Sequence, residues 1–297
     1  MQSCDFSIFG LNPHPQPFNI DLGHSGTTCP GTHPRPYLQT NKSSASSDIT
    51  SIQLTPLSLP PPPIAQFRSG DILGHRRFMA QGSVTGAGKR LIQIDISSDT
   101  ICPWCFVGKK HLDRAIAASE DQFEFQIKWH PFLLNPSAPK EGVNKREHYK
   151  QKFGDRREQI ISRMTEVFKG LGLQYNMDGK IGNTLDSHRL IYLAGQQGLN
   201  KQHDLVEELF LGYFIQGKYI GDWEFLVESA KKVGVEGAAE FLHDPNNGLK
   251  EVNEDLEKYS AAITGVPHYL INGKQKLSGA QPPEVFLQAF QLAGNSP

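Results

Sequence analysis

Two cysteines separated by two residues, in the run Cys102-Pro103-Trp104-Cys105, are the residues of this chain whose types and spacing suit covalent chemistry. A thiolate attacks a disulfide sulfur and forms a mixed disulfide; a second thiol nearby then attacks the first sulfur and frees the substrate as a thiol. Positions three apart on a helix lie about one turn from each other, which brings two such sulfurs within reach. The pair has two other readings. A structural zinc site takes four ligands, usually with a second pair at suitable spacing; His111 and His130 are available, but the sequence holds no second pair. Two buried, inert thiols are the remaining possibility.

The flanking pattern favours the first reading. Ile92, Ile94 and Ile96 alternate with Gln93, Asp95 and Ser97, which predicts a strand over Leu91 to Ile96. A helix follows to about Ala118, with its apolar stripe at Cys105, Gly108, Leu112, Ala115 and Ile116. Pro103 suits the first turn, where an amide hydrogen has no partner. Cys102 is expected exposed at the helix start, where free N–H groups and the macrodipole favour a thiolate, and is therefore the candidate nucleophile. Cys105 falls on the buried stripe and is the candidate resolving thiol. Pro103 and Trp104 offer substrate an apolar rim.

Downstream, Phe123, Phe125, Ile127 and Trp129 alternate with polar residues and predict a second strand ending at Pro131. From about Glu147 to Leu242 the periodicity is helical, with stripes such as Ile160, Met164, Val167 and Phe168, or Val206, Leu209, Phe210 and Tyr213. Asp222 is placed to cap a helix closed by Gly234. A further helix carries Leu249, Val252, Leu256, Tyr259 and Ile263 in register. His268 to Ile271 then reads as a strand, Asn272-Gly273 as a hairpin turn, and Lys274 to Ser278 as the return strand. Pro282 and Pro283 open a last helix with Phe286, Ala289, Phe290 and Ala293 on one face. The order is an α/β one, β-α-β, a helical insertion over about 145–243, then α-β-β-α: a thioredoxin-like fold over residues 89–293.

With 30 basic and 31 acidic residues among 297, the chain carries no charge excess that asks for nucleic acid or an anionic membrane. No apolar run approaches the roughly 18 residues of a membrane span. Residues 1–88 form an N-terminal extension, disordered or targeting in character: residues 1–78 are rich in Pro, Ser, Thr and His, contain the run Pro60 to Pro63 and lack glutamate. Such a start suits an organelle transit peptide, although Asp5, Asp21, Asp48 and Asp71 weaken it, and Met79 is an alternative start. The expected location is cytoplasmic, or an organelle such as a plastid if the extension is a transit peptide. Cys4 and Cys29 fall in this extension, leaving one working pair.

The run Ser98-Asp99-Thr100-Ile101-Cys102-Pro103-Trp104-Cys105, followed by Gly108-Lys109, resembles the DsbA-like thioredoxin family and its FrnE-like branch. Trp129 to Pro136, Asn183 to Arg189, Tyr213 to Asp222 and Gly279 to Phe286 extend the resemblance across residues 90 to 293. It implies a dithiol/disulfide oxidoreductase with a helical domain inserted into the fold, Pro267 in cis and the backbone of Val266 exposed for pairing with an extended substrate. The superfamily also contains 2-hydroxychromene-2-carboxylate isomerases and kappa-class glutathione transferases, which typically carry serine where Cys102 stands. In glutathione-using relatives the motif matched by Asn183, His188 and Arg189 lies near the active site, and the stretch matched by Ser278 to Gln281 meets the glutamyl end of glutathione.

These residues give secondary candidates. Asn183, His188 and Arg189 suit a carboxylate or a charge that tunes Cys102; Ala280, Gln281 and the Ser278 hydroxyl suit an anion. Asp95 or Asp99 suits acceptance of the proton of the resolving thiol, and the cluster Lys109, Lys110, Asp113 and Arg114 is either a thiolate tuner or a solvated helix face. The expected partners are thiol or disulfide substrates, protein or glutathione, with no metal and no resident cofactor beyond glutathione as a co-substrate. A glutathione-dependent isomerase or transferase and a non-redox peptide-binding module are the competing functions.

Overall fold

The computed structural model describes residues 88–295. The readings made on the N-terminal extension, including Cys4, Cys29 and the Met79 start, lie outside the described residues.

Strand β1 (Arg90–Ser98) is followed by helix α1 (Pro103–Ala117) and strand β2 (Phe123–Pro131). β2 runs parallel to β1, with Ile94 opposite Ile127. Helix α8 (Leu249–Asp255), strands β5 (His268–Ile271) and β6 (Gln275–Ser278), and helix α9 (Pro283–Asn295) complete the sheet layer. The sheet order is β2-β1-β5-β6, with β5 antiparallel to both its neighbours. The hairpin joining β5 to β6 has positive φ at Asn272 (48°) and Gly273 (66°), the pairing a two-residue type I′ turn requires.

Between β2 and α8 lie α2 (Lys145–Phe153), α3 (Arg157–Gly170), α4 (Leu185–Gln197), α5 (Leu199–Phe214), α6 (Trp223–Lys232) and α7 (Ala238–His243). Asp222 caps α6 by accepting from the Phe225 amide at 2.9 Å, as its position suggested. Two departures have plain causes. A small antiparallel ribbon, β3 (Val143–Asn144) and β4 (Lys180–Ile181), has two residues per strand, too few for an alternating signal. The expected register of α8 through Ile263 fails because a π-helical turn, Leu256–Ser260, ends the helix, and Ile263 lies beyond it.

Ile92, Ile94 and Ile96 are fully or almost fully buried on one face of β1. α9 covers the sheet with the four residues its stripe predicted, Phe286 meeting Tyr269 edge-on at 4.9 Å and Phe290 meeting Phe125 at 4.8 Å. The insertion is fastened to α1 through one aromatic cluster: Phe106 lies 5.6 Å from Phe168, 5.2 Å from Phe210 and 5.8 Å from Phe214. Each such ring contributes about 1.5–3 kcal/mol by burial, so the start of α1 is held from both sides.

Candidate active site

β1 delivers the chain to the site through a tight turn. The Cys102 amide donates to the Asp99 carbonyl at 3.0 Å, and Cys102 then takes the cap position of α1 with Pro103 as the first helical residue. Both cysteines are free thiols. Cys105 is fully buried, as its stripe predicted. The expectation that Cys102 is exposed is corrected: it retains 1% exposure. Its cover comes from segments distant in sequence. The Cys102 thiol donates to the Val266 carbonyl, with sulfur 3.6 Å from oxygen, and Tyr149 of α2 is close enough for charge on Cys102 to act on its hydroxyl.

The Val266–Pro267 peptide is cis and leads into β5. Val266 and Pro267 are both buried, and the expected exposure of the Val266 backbone is not what the fold presents: its carbonyl is occupied by the Cys102 thiol. α1 approaches this loop at Gly108. A methyl group there would sit 2.2 Å from the Tyr269 hydroxyl and 3.1 Å from Cγ of Pro267, so only glycine permits the approach. Trp104 is half-buried, with the Arg163 guanidinium 5.8 Å from its ring centroid.

The electrostatics separate the two thiols. Burial pushes the Cys105 thiol well up; a hydrogen bond with Cys102 and the charge of Cys102 push further, against the Ser98 hydroxyl and the Asp99 backbone amide. Cys105 therefore holds its proton well beyond the usual thiol range. The Tyr269 hydroxyl, buried and without a hydrogen-bond partner, is also pushed well up, by burial first and then by charge on Cys105 and Cys102. Tyr269 is a residue beside the thiols that the motif reading missed; the alternation of β5, which buries Tyr269 and Ile271, was the available signal for it.

The secondary candidates divide. Asp99 is fully buried, receives the amides of Leu134 (2.7 Å) and Ile101 (3.4 Å), and stands 3.7 Å from His188 Nε2. It thus shapes the turn that carries Cys102. Asp95 instead accepts from His130 at 2.8 Å, and the other nitrogen of that ring meets Asp255 at 2.9 Å. His111 meets the Gln281 carbonyl at 2.9 Å, so neither histidine considered for zinc turns to the thiols.

Arg189 is expected to hold a carboxylate or to tune Cys102, and its guanidinium is instead taken up within the fold. It is 1% exposed and donates to the carbonyls of Asn247, Phe241 and Asp244 and to Asp186. It ties α4 to the α7–α8 connection, which leaves no donor directed at substrate. Asn183 precedes the Thr184 cap of α4, its side chain accepting from the Leu185 amide and donating to the carbonyls of Pro136 and Ala138. Gln281 satisfies itself locally, its amide on Gly279 and its side chain on Ser278, so the anion site expected there lacks that donor. Lys109, 2% exposed, pairs with Asp113 (2.8 Å) and Glu207 (3.1 Å); it belongs to the α1–α5 interface and is not a solvated face.

A four-stranded mixed sheet, a dithiol at the start of the helix after its central strand, and a cis proline leading into the next strand define a thioredoxin-fold protein. The chain belongs to the DsbA-like thioredoxin domain family, whose model matches residues 93–291. It is similar to the uncharacterized protein YwbO of Bacillus subtilis, 28% identical over 207 residues, covering 67% of this chain and 96% of that protein. Among solved structures it is similar to the probable DsbA oxidoreductase SCO1869 of Streptomyces coelicolor, with 31% identity and a TM-score of 0.62 over 69% of this chain and 92% of that one. Among the described residues, no helix is long and apolar enough to cross a membrane.

Proposed function

We propose that the protein is a thiol-disulfide oxidoreductase in which Cys102 attacks and Cys105 resolves. The observation that carries the reading is the asymmetry of the pair: Cys105 is sealed in the core with its ionisation opposed, while Cys102 caps α1 beside the cis-proline loop. In the reducing direction, Cys102 thiolate attacks one sulfur of R–S–S–R′. The Cys102–S–S–R bond forms, and R′S⁻ leaves and takes up a proton. Cys105 then gives up its proton and attacks the Cys102 sulfur. The intramolecular disulfide forms, RS⁻ is released, and two electrons have passed from the protein to the substrate. The reverse sequence oxidises a substrate dithiol.

Once Cys102 is bonded to a substrate sulfur, the Val266 carbonyl it occupied becomes available to a substrate N–H. With Cys102 so little exposed, the rim of the site parts before the first attack. Protein thiols or glutathione serve as the partner; glutathione enters as a co-substrate. A cysteine at position 102, where the glutathione-dependent isomerases typically carry serine, favours redox exchange over isomerisation. The test is turnover of insulin disulfides and of glutathione disulfide by the full chain and by Cys102→Ser. Loss of both activities is expected; full activity in the variant would overturn the proposal.

A further inference from the structure

Among the buried polar groups near the thiols, the exchange leaves one unused. The Tyr269 hydroxyl is fully buried and has no hydrogen-bond partner among the described residues, a state that costs stability and that native interiors seldom keep without a reason. Its position is set from three directions. β5 pairs Tyr269 with Ile96 of β1, and Ser98, two residues on, shares that buried face of the sheet. Phe286 of α9 packs edge-on against the ring at 4.9 Å. α1 meets the hydroxyl itself at Gly108, where an added methyl would stand 2.2 Å from the oxygen. Cα–Cβ bonds of a helix tilt toward its N-terminus, so the oxygen lies on the side of Gly108 that faces the preceding turn. Cys105 occupies that turn, three residues earlier on the same buried stripe.

We infer that Tyr269 is a positioning residue for the resolving step, its hydroxyl a donor without an acceptor while Cys105 is a thiol and drawn to the Cys105 sulfur as that sulfur gains charge. This rests on the oxidoreductase reading and adds a residue to it. A thiol is a weak acceptor and a thiolate a strong one, so the bond is worth more in the charged state than at rest, which is what speeds a step. Cys105 already has the Ser98 hydroxyl and the Asp99 amide as donors; Tyr269 supplies a further one from the neighbouring strand. The tyrosine keeps its own proton, because burial, then the charges of Cys105, Cys102 and Asp113, push its ionisation well up. It is a donor and not a relay, since no partner stands behind it to receive a proton. The step balances as before: the Cys102–Cys105 disulfide forms, the bond from Cys102 to the substrate sulfur breaks, and the proton shed by Cys105 ends on the departing RS⁻.

The test follows both steps in one reaction. Reduced full-chain protein is mixed with glutathione disulfide, rapidly quenched with acid at intervals and weighed intact, so that the glutathione adduct is seen to form and then decay to the internal disulfide. In Tyr269→Phe the decay is expected to slow about tenfold, the loss of one hydrogen bond to a charged atom, with formation within about twofold of the parent. The pH profile of the decay is expected to move up by about one unit. Phe286→Leu loosens the packing of the same ring and keeps the hydroxyl; its ratio of decay to formation is expected to stay within about twofold of the parent. Equal slowing of both steps in Tyr269→Phe, an unchanged decay, or the same change of ratio in Phe286→Leu overturns the assignment. A second arm needs no turnover: the ¹³Cβ shift of labelled Cys105 is followed between pH 7 and 11 in Cys102→Ser, with and without Tyr269→Phe. Ionisation of Cys105 is expected to set in about one pH unit later without the hydroxyl; a Cys105 that behaves alike in the two proteins overturns its role. If no adduct forms on the parent while this arm gives the shift, the failure falls on the oxidoreductase reading and not on Tyr269.

Discussion

Gly108→Ala is the substitution whose effect follows most directly from the packing of the site. In an unconstrained helix the change adds roughly 1 kcal/mol of stability, because alanine loses less backbone freedom than glycine. Here the new methyl stands 2.2 Å from the Tyr269 hydroxyl, so ordinary contact near 3.4 Å requires a displacement of about 1.2 Å. The tyrosine is fully buried against Phe286 and cannot swing aside, and Pro267 Cγ at 3.1 Å limits the opposite correction. Overpacking of this kind costs about 1–3 kcal/mol; set against the propensity gain of about 1 kcal/mol, the net change is a loss of about 0–2 kcal/mol. Tyr269→Phe supplies the control. It removes the clashing oxygen, and the remaining ring atoms lie no closer than 3.5 Å to the methyl, since the third-nearest atom is Ala280 Cα at that distance. It also removes a buried hydroxyl without a partner and is expected to be neutral or stabilising. Urea unfolding of the reduced single and double variants should give a coupling of about 1–3 kcal/mol. A Gly108→Ala protein that shows the full propensity gain of about 1 kcal/mol over the parent, or the same change in the Tyr269→Phe background as in the parent, would refute the close approach of α1 to the cis-proline loop.

Two further outcomes are expected. Arg189→Lys should destabilise by about 2–4 kcal/mol in urea unfolding, because a lysine cannot serve the carbonyls of Asn247, Phe241 and Asp244 together; a stable variant with a raised KM would return Arg189 to the substrate. The raised pKa of Cys105 gives stability that is complete below about pH 8.5, the unfolded value, and is lost as pH rises, at up to about 1.4 kcal/mol per pH unit. Lys145, pushed down to about 8 by burial, acts in the opposite sense over the same range, since the folded protein sheds its proton first. Reduced Cys105→Ser should therefore gain stability relative to the parent between pH 8.5 and 10, and Lys145→Met should lose it. Parallel unfolding curves across that range would contradict both assignments.

The elements that position the thiols were readable because each has a short-range cause. Isoleucines alternating through β1, Pro103 at the first helical residue and Asn272-Gly273 in the hairpin each act within a few residues of themselves. The stripe of α9 named its buried residues for the same reason. What was not readable depends on contacts across the chain. Cys102 is buried with its thiol on the Val266 carbonyl, 164 positions away, and nothing in its own neighbourhood records that. Arg189 carries a motif that resembles a ligand-binding one, yet its guanidinium is taken by carbonyls over fifty residues downstream. His130, considered as a metal ligand, is fixed by Asp95 and Asp255, whose separation in sequence hides that they meet at one ring.

The division of labour between the two thiols is tested most directly by locating the adduct. Cys105→Ser protein is mixed with glutathione disulfide, quenched with acid and mapped by peptide mass spectrometry. The account predicts a persistent mixed disulfide on Cys102, and in Cys102→Ser no comparable adduct on the buried Cys105. An adduct that forms as readily on Cys105 as on Cys102 would contradict it.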